Sequence, residues 1–252
     1  ANSICERLQR RWGTIAIQDA FAPRVAAILE QHEARTQIPT TWARWELTLG
    51  DQVFELLLGD EQSKANLNVV FARTGGVGMA EAVRRLMGRS LADLQLQPLP
   101  SCLAGHDGPA QSFECFGQVF ADCEPAILVG SGGDDDPSVA RITCWGDGRL
   151  NFHRASPLAL RELTTGILSA YQQTQLLSLR QQIPGISLDE LIPRLQLTDA
   201  EHARLRSTLT DRSNCFSLWL IARTSHRCWY RLAICRTPAG GQTAVVARTF
   251  VW

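Results

Sequence analysis

With 252 residues the chain can bury an ordinary core as one large domain or two small ones, so its size demands no crosslinks. Lys and Arg number 25 and so do Asp and Glu, and a formal charge of zero excludes both the basic field of a nucleic-acid-binding protein and the acidic excess of a solvating tail. No run approaches the roughly 18 apolar residues of a membrane span, and the start, ANSICERLQRRWG, is too polar for the core of a signal peptide. A mature exported chain, or one trimmed behind a membrane anchor, has the same appearance.

From Ile4 to about His32, apolar residues recur at three and four positions: Ile4, Leu8, Trp12, Ile15, Val25, Ile28 and Leu29. This spacing predicts a one-faced helix, weakened at Gly13 and bent or restarted at Pro23. Strands are expected at Trp42–Leu49 and Gln52–Leu58, joined by a turn at Gly50 and Asp51. After Asn68 a short helix is expected near VVFARTGGVGMAEAVRRLMG, followed by a loop-rich stretch with Pro98, Pro100, Gly105, Gly108 and Pro109.

Ala126–Val129 and Arg141–Trp145 read as short strands of a second small sheet, with a Gly-Asp-Gly turn at residues 146–148. Helical periodicity follows from Ser156, a cap before Pro157, through SPLALRELTTGILSAYQQTQLLSLRQQI. SLDELIPRL and TDAEHARLRSTL add shorter helices, the second opened by a Thr198 and Glu201 capping box. Three antiparallel strands close the chain: CFSLWLIA, CWYRLAICR and TAVVARTFVW.

Eight cysteines contain no CxxC pair, which argues against a four-cysteine zinc site and leaves disulfides open. A loop at Thr224–His226 sets Phe216 opposite Ile234 and Cys215 opposite Cys235, where a disulfide is expected. A four-residue turn from Thr224 to Arg227 instead places Cys215 opposite Arg236 and sends Cys235 to the other face.

Chemistry-bearing motifs are sparse. Gly75–Gly78, before a helix, offers backbone donors to a phosphate and supports the alternative of a small α/β nucleotide-binding enzyme, but Glu81 occupies the third glycine position of that fingerprint. Asp134, Asp135 and Asp136 present the hard oxygens that calcium accepts. They lack the alternating spacing of a calcium-binding loop and read as a solvated loop, so no cofactor is expected beyond calcium at these three. The five histidines are scattered, and no G-x-S-x-G elbow occurs. QQIPGISLDELIPRL resembles the start of helical hairpins that track nucleic-acid backbones, but its arginines are interleaved with acids.

The stretch DEQSKANLN follows a strand, LNFHRASPLAL opens a helix, and SNCFSLWL begins a late strand. In this order and approximate spacing, across about residues 42–235, the chain resembles the K-type minor pseudopilins of type II secretion systems. The matching positions are Asp60, Glu61, Lys64, Asn66, Leu67, Asn68, Asn151 and Ala155. His153 stands where the family carries a second asparagine, and the family's Trp-x-Asp motif is not found.

The resemblance implies an α+β fold: a pilin-like N-terminal helix on an antiparallel sheet, interrupted by a mainly helical inserted domain. It assigns residues 1–71 and 213–252 to the pilin-like domain and 72–212 to the insert. The implied role is structural and non-enzymatic, at the tip of a pseudopilus on the periplasmic face of the bacterial inner membrane. The implied partners are I-type and J-type minor pseudopilins, met through N-terminal helices at Ile4, Leu8, Trp12 and Ile15, with an apolar anchor before Ala1. Asp60, Glu61 and Lys64 then shape a turn, and Asn66 and Asn68 bond nearby backbone.

Overall fold

The computed structural model describes residues 2–87, 97–103, 112–121, 123–130, 137–223, 228–238 and 243–252, with side chains from Leu8 onward. Asp134–Asp136 and the turn at Thr224–His226 lie outside the described residues. Two compact units emerge: Ala1–Glu61 with Asn214–Trp252, and Gln62–Ser213.

Helix α1 (Asn2–Phe21) passes through a 3-10 turn, Ala22–Arg24, into α2 (Val25–Thr36). Pro23 sits inside that turn, where its fixed φ suits the turn and its missing donor breaks the α-helical ladder. Gln37 ends α2 in the left-handed conformation, φ 57°, and its N–H donates to the Glu33 carbonyl at 2.7 Å. Strands β1 (Trp42–Leu49) and β2 (Gln52–Asp60) form a hairpin turning at Gly50, φ 60°.

The larger unit opens with β3 (Ala65–Asn66) and α3 (Leu67–Met87), which is kinked at Gly75. It continues through β4 (Gln97–Pro98), α4 (Pro100–Leu103), β5 (Phe120–Ala121) and α5 (Pro125–Val129). Next come β6 (Ile142–Thr143), β7 (Leu150–Asn151), α6 (Pro157–Thr164), α7 (Ala170–Gln182), α8 (Leu188–Leu191), α9 (Asp199–Thr208) and β8 (Leu209–Thr210). The chain then returns to the first unit as β9 (Cys215–Arg223), β10 (Cys228–Arg236) and β11 (Val245–Val251).

All five long strands make one antiparallel sheet in the order β1-β2-β9-β10-β11. One face packs under α1 and α2: Ile17, Ala22, Val25 and Leu29 meet Phe54, Leu56, Leu58, Phe216, Leu218 and Leu220. A fully buried aliphatic or aromatic side chain of this kind contributes about 1.5–3 kcal/mol. Gly13 lets α1 descend onto the sheet, because a β-carbon there would lie 2.6 Å from Phe54 Cζ. Polar pins flank this contact: Arg10 Nε donates to Gln52 Oε1 at 2.8 Å, and Arg231 Nε donates to Gln18 Oε1 at 2.6 Å.

In the larger unit, α3 packs on α6, and α6 on α7 and α9. Ser156 caps α6 through the Ala159 N–H, and capping boxes open α7 at Ser169 with Gln172, α8 at Ser187 with Glu190, and α9 at Thr198 with Glu201. Among the described residues no helix is long and apolar enough to cross a membrane.

Two expectations are corrected. Ala126–Val129 is helical, because Pro125 at the first position presets φ and Gly130, φ 72°, stops the turn. The closing hairpin is shifted by one residue: four residues separate β9 from β10, Cys215 pairs with Arg236, and Cys235 pairs with Phe216. Cys235 therefore lies on the helix-covered face and Cys215 on the other, so the Cys215–Cys235 disulfide is not formed and both thiols are free. Burial, helped by the Glu61 charge, pushes both thiols up to about 12.

Candidate functional site

The acidic turn after β2 is a 3-10 turn over Glu61–Ser63. Its side chains are not solvated: Asp60, Glu61, Gln62, Ser63 and Lys64 are all buried, and each is engaged by a neighbour. The Asp60 N–H donates to the Thr41 carbonyl at 2.8 Å, and Gln62 Nε2 donates to Asp147 Oδ1 at 2.7 Å. Burial at this level requires such partners, since an unpaired charge would cost several kcal/mol, on the order of its effective desolvation penalty.

Just beyond lies a polar clasp. Residues Ala65 and Asn66 of β3 pair in parallel with Ile142 and Thr143 of β6. Asn66 Oδ1 accepts from the Asn68 N–H at 2.9 Å, an Asx turn that launches α3, while its Nδ2 donates to the Trp145 carbonyl at 2.9 Å. Across the bridge, Thr143 Oγ1 accepts from the Trp145 N–H at 3.0 Å. Asn68 completes the arrangement: its Nδ2 donates to the carbonyls of Cys144 at 2.9 Å and Phe113 at 3.1 Å, and its Oδ1 accepts from the Phe113 N–H at 2.6 Å. Leu67 between them is fully buried.

The same construction recurs later in the unit. Leu150 and Asn151 of β7 pair in parallel with Leu209 and Thr210 of β8. Asn151 Oδ1 accepts from the His153 N–H at 3.0 Å and its Nδ2 donates to Ser213 Oγ at 2.8 Å, while Thr210 Oγ1 accepts from the Arg212 N–H at 3.3 Å. In both clasps an asparagine turn faces a threonine turn across a two-residue parallel bridge. His153 takes the place of Asn68, and its Nε2 lies 3.5 Å from Oδ1 of Asp211, the residue after Thr210. Cys144, after Thr143, is the counterpart that Asn68 contacts through its carbonyl.

The departure from the asparagine pattern at His153 is thus matched by a carboxylate at Asp211, whose Oδ1 also accepts from the Leu188 N–H at 3.0 Å. Burial, the largest influence, lowers the His153 pKa below its ordinary value against the opposing pull of Asp211. Ala155 donates its N–H to the Asn151 carbonyl at 2.9 Å, and its own carbonyl accepts from Arg180 at 2.6 Å.

Chemically, the clasps spend the amides of Asn66, Asn68 and Asn151 on backbone and hydroxyl partners, which fixes loops and leaves no activated nucleophile among these groups. Thr143 and Thr210 escape sequence reasoning, since nothing in two isolated threonines announces a partner strand far along the chain. Gly75–Gly78 lies within the α3 stretch, where Gly75, φ 66° and ψ −173°, joins two helical segments. A helix precedes this loop where a phosphate site of the expected kind needs a strand, which corrects the nucleotide-site alternative. Among the described residues no group of three or more His, Cys, Asp or Glu is placed to hold a metal.

The N-terminal helix carries a second candidate surface. Arg10, Gly13, Thr14, Ile17 and Gln18 are buried, which marks the face turned to the sheet. Leu8, Trp12 and Ile15, spaced at four and three, fall on the opposite side; Leu8 is 49% exposed, Trp12 66%, and Ile15 half-buried. Ile4 lies in α1, with its side chain outside the described residues.

An N-terminal helix on an antiparallel sheet, interrupted between β2 and β9 by a mainly helical unit, defines a pilin-like α+β protein with an insert. The same fold is found in a chain of the GspK-GspI-GspJ complex from the enterotoxigenic Escherichia coli type 2 secretion system. The similarity covers 98% of this chain and 99% of that one, with a TM-score of 0.51 at 15% identity. No protein-family profile matches the sequence, and no curated protein matches it.

Proposed function

We propose that this chain is a non-enzymatic assembly protein, acting as a minor pseudopilin at the tip of a type II secretion pseudopilus and helping to start its assembly. The observation that carries this reading is the full-length likeness to a chain of a three-component pseudopilin complex, in a protein whose N-terminal helix presents an uncovered apolar stripe. A tryptophan two-thirds exposed on a helix is a poor choice for a solvated face and a good one for a neighbouring helix.

The partners are an I-type and a J-type minor pseudopilin, whose N-terminal helices lie along Leu8, Trp12 and Ile15, with Ile4 continuing the stripe. The domain acts on the periplasmic face of the inner membrane. The buried clasps keep the insert in one conformation while the helix engages its neighbours.

Sedimentation of the domain mixed with the soluble domains of the matching I-type and J-type proteins tests the proposal. A three-component complex at tens of micromolar is expected, lost in Leu8→Asp/Trp12→Asp. Separate sedimentation of the components, each shown to be folded, would count against the assignment.

A further inference from the structure

The five-stranded sheet ends on β1 at one edge and on β11 at the other, and the two edges are built differently. Along β1, Arg44 Nε lies 3.0 Å from Glu55 Oε1, and Glu46 follows two residues on. Charged side chains of this kind keep a free edge from pairing with another chain. In β11 the one charged residue is Arg248, and residues 249–252, TFVW, are β-branched and aromatic types that favour strands.

The register of β11 on β10 shows which of its backbone groups face outward. Tyr230 and Trp252 exchange both N–H···O bonds, at 3.3 and 3.0 Å. Such pairs alternate in an antiparallel ladder with pairs that share none. Leu232 with Phe250 and Ile234 with Arg248 are therefore bonded pairs, while Arg231 with Val251 and Ala233 with Thr249 are not. The N–H and C=O of Thr249 and Val251 point away from the sheet, and among the described residues no strand meets them. Both residues are exposed, Val251 at 65%. Before Arg248 the edge is broken, because Val246 pairs with Cys235 and Arg248 with Ile234, which leaves Ala247 as a bulge. The regular free edge is residues 248–252.

We propose that this edge pairs with the same edge of a second copy of the chain, antiparallel about a two-fold axis at Phe250. In that register the segment is complementary to itself. Thr249 of one copy and Val251 of the other exchange both N–H···O bonds, and symmetry repeats them. Phe250 faces Phe250 across the axis in a non-hydrogen-bonded pair, where cross-strand side chains lie closest and aromatic pairs are favourable. Arg248 lies opposite Trp252. An axis at Arg248 would set two guanidiniums against each other, and an axis at Thr249 would draw the Ala247 bulge into the ladder. An edge contact buries little surface, so the dimer is weak and depends on concentration. It uses neither Leu8 nor Trp12 and does not rest on the assembly role.

Sedimentation equilibrium from about 10 µM to about 1 mM, the range of weak association, should show the mass rising from monomer toward dimer. Over the same range, exchange of the Thr249 and Val251 amide protons should slow several-fold while exchange along β1 is unchanged. Thr249→Pro removes an outward N–H that β10 does not use, and Val251→Lys adds the charge of a guarded edge. Both variants should stay monomeric at the highest concentration, and Leu8→Asp/Trp12→Asp should still dimerise. A wild-type protein that is monomeric throughout would overturn the proposal. So would a dimer kept by the folded edge variants, or one lost in Leu8→Asp/Trp12→Asp with native circular dichroism. A wild-type dimer that leaves exchange at Thr249 and Val251 unchanged would overturn it whether or not the edge variants fold.

Discussion

Asn66→Ala removes at once both hydrogen bonds that the Asn66 side chain makes in the first clasp. The side chain is 6% exposed, so water does not replace what is lost. The Trp145 carbonyl loses its 2.9 Å donor, and the Asn68 N–H at the entry to α3 loses its 2.9 Å acceptor. Each group stranded in this way costs about 1–3 kcal/mol, and the Asn68 amide is the less buried of the two, so the sum is about 2–4 kcal/mol. That is a large share of the roughly 5–15 kcal/mol that separates folded from unfolded domains. Asn66→Ser keeps a short acceptor for the Asn68 N–H but not the reach to Trp145, and is expected to recover about half. Amide hydrogen exchange in α3 isolates the larger unit from the rest of the chain, and protection there should fall by roughly 30-fold to 1000-fold in the alanine variant. Exchange within about twofold of wild type would show that the clasp is incidental and refute the accounting.

Gly13→Ala gains about 1 kcal/mol of helix propensity but drives a β-carbon to 2.6 Å from the buried ring of Phe54, an overpacking that costs about 1–3 kcal/mol. A lowered thermal midpoint is expected, relieved by adding Phe54→Leu; a raised midpoint for the single variant would contradict the packing of α1 on the sheet. For His153, burial sets the folded pKa below the unfolded value, with Asp211 opposing and Arg180 and Arg154 assisting. Its contribution is therefore fully present above about pH 6.5 and declines as the pH falls through the lower folded value. Urea midpoints measured between neutral and mildly acid pH should show this decline, flattened in His153→Asn; equal slopes in the two proteins would remove His153 as its source.

Local signals were legible where one residue type forces one geometry. Pro23 bends the N-terminal helix, Gly50 turns the first hairpin, and Thr198 with Glu201 opens α9 as the spacing predicts. The α+β character follows from the same patterns together with the three closing strands. The register of the last hairpin was not legible, because the apolar run of β9 is buried on both faces and alternation cannot say which face is which. A loop longer by one residue then moved Cys235 away from Cys215. The clasps were half legible: asparagines before helices announce Asx turns, but the threonine strands opposite lie 77 residues on for Asn66 and 59 on for Asn151 (143 minus 66, 210 minus 151), too short to carry a pattern. Gly13 read only as a weak point, since the ring that needs its missing side chain belongs to another element.

Placing a photo-crosslinking amino acid at position 12, with position 171 as an equally accessible control, tests the assembly role most directly. Trp12 is 66% exposed on the uncovered face of α1, and Tyr171 is 77% exposed in the larger unit. In the presence of the I-type and J-type soluble domains, illumination should join the position-12 protein to a partner through the partner's N-terminal helix and leave the position-171 protein uncoupled. No adduct at position 12, or equal adducts at both positions, would contradict an assembly protein that works through its N-terminal helix.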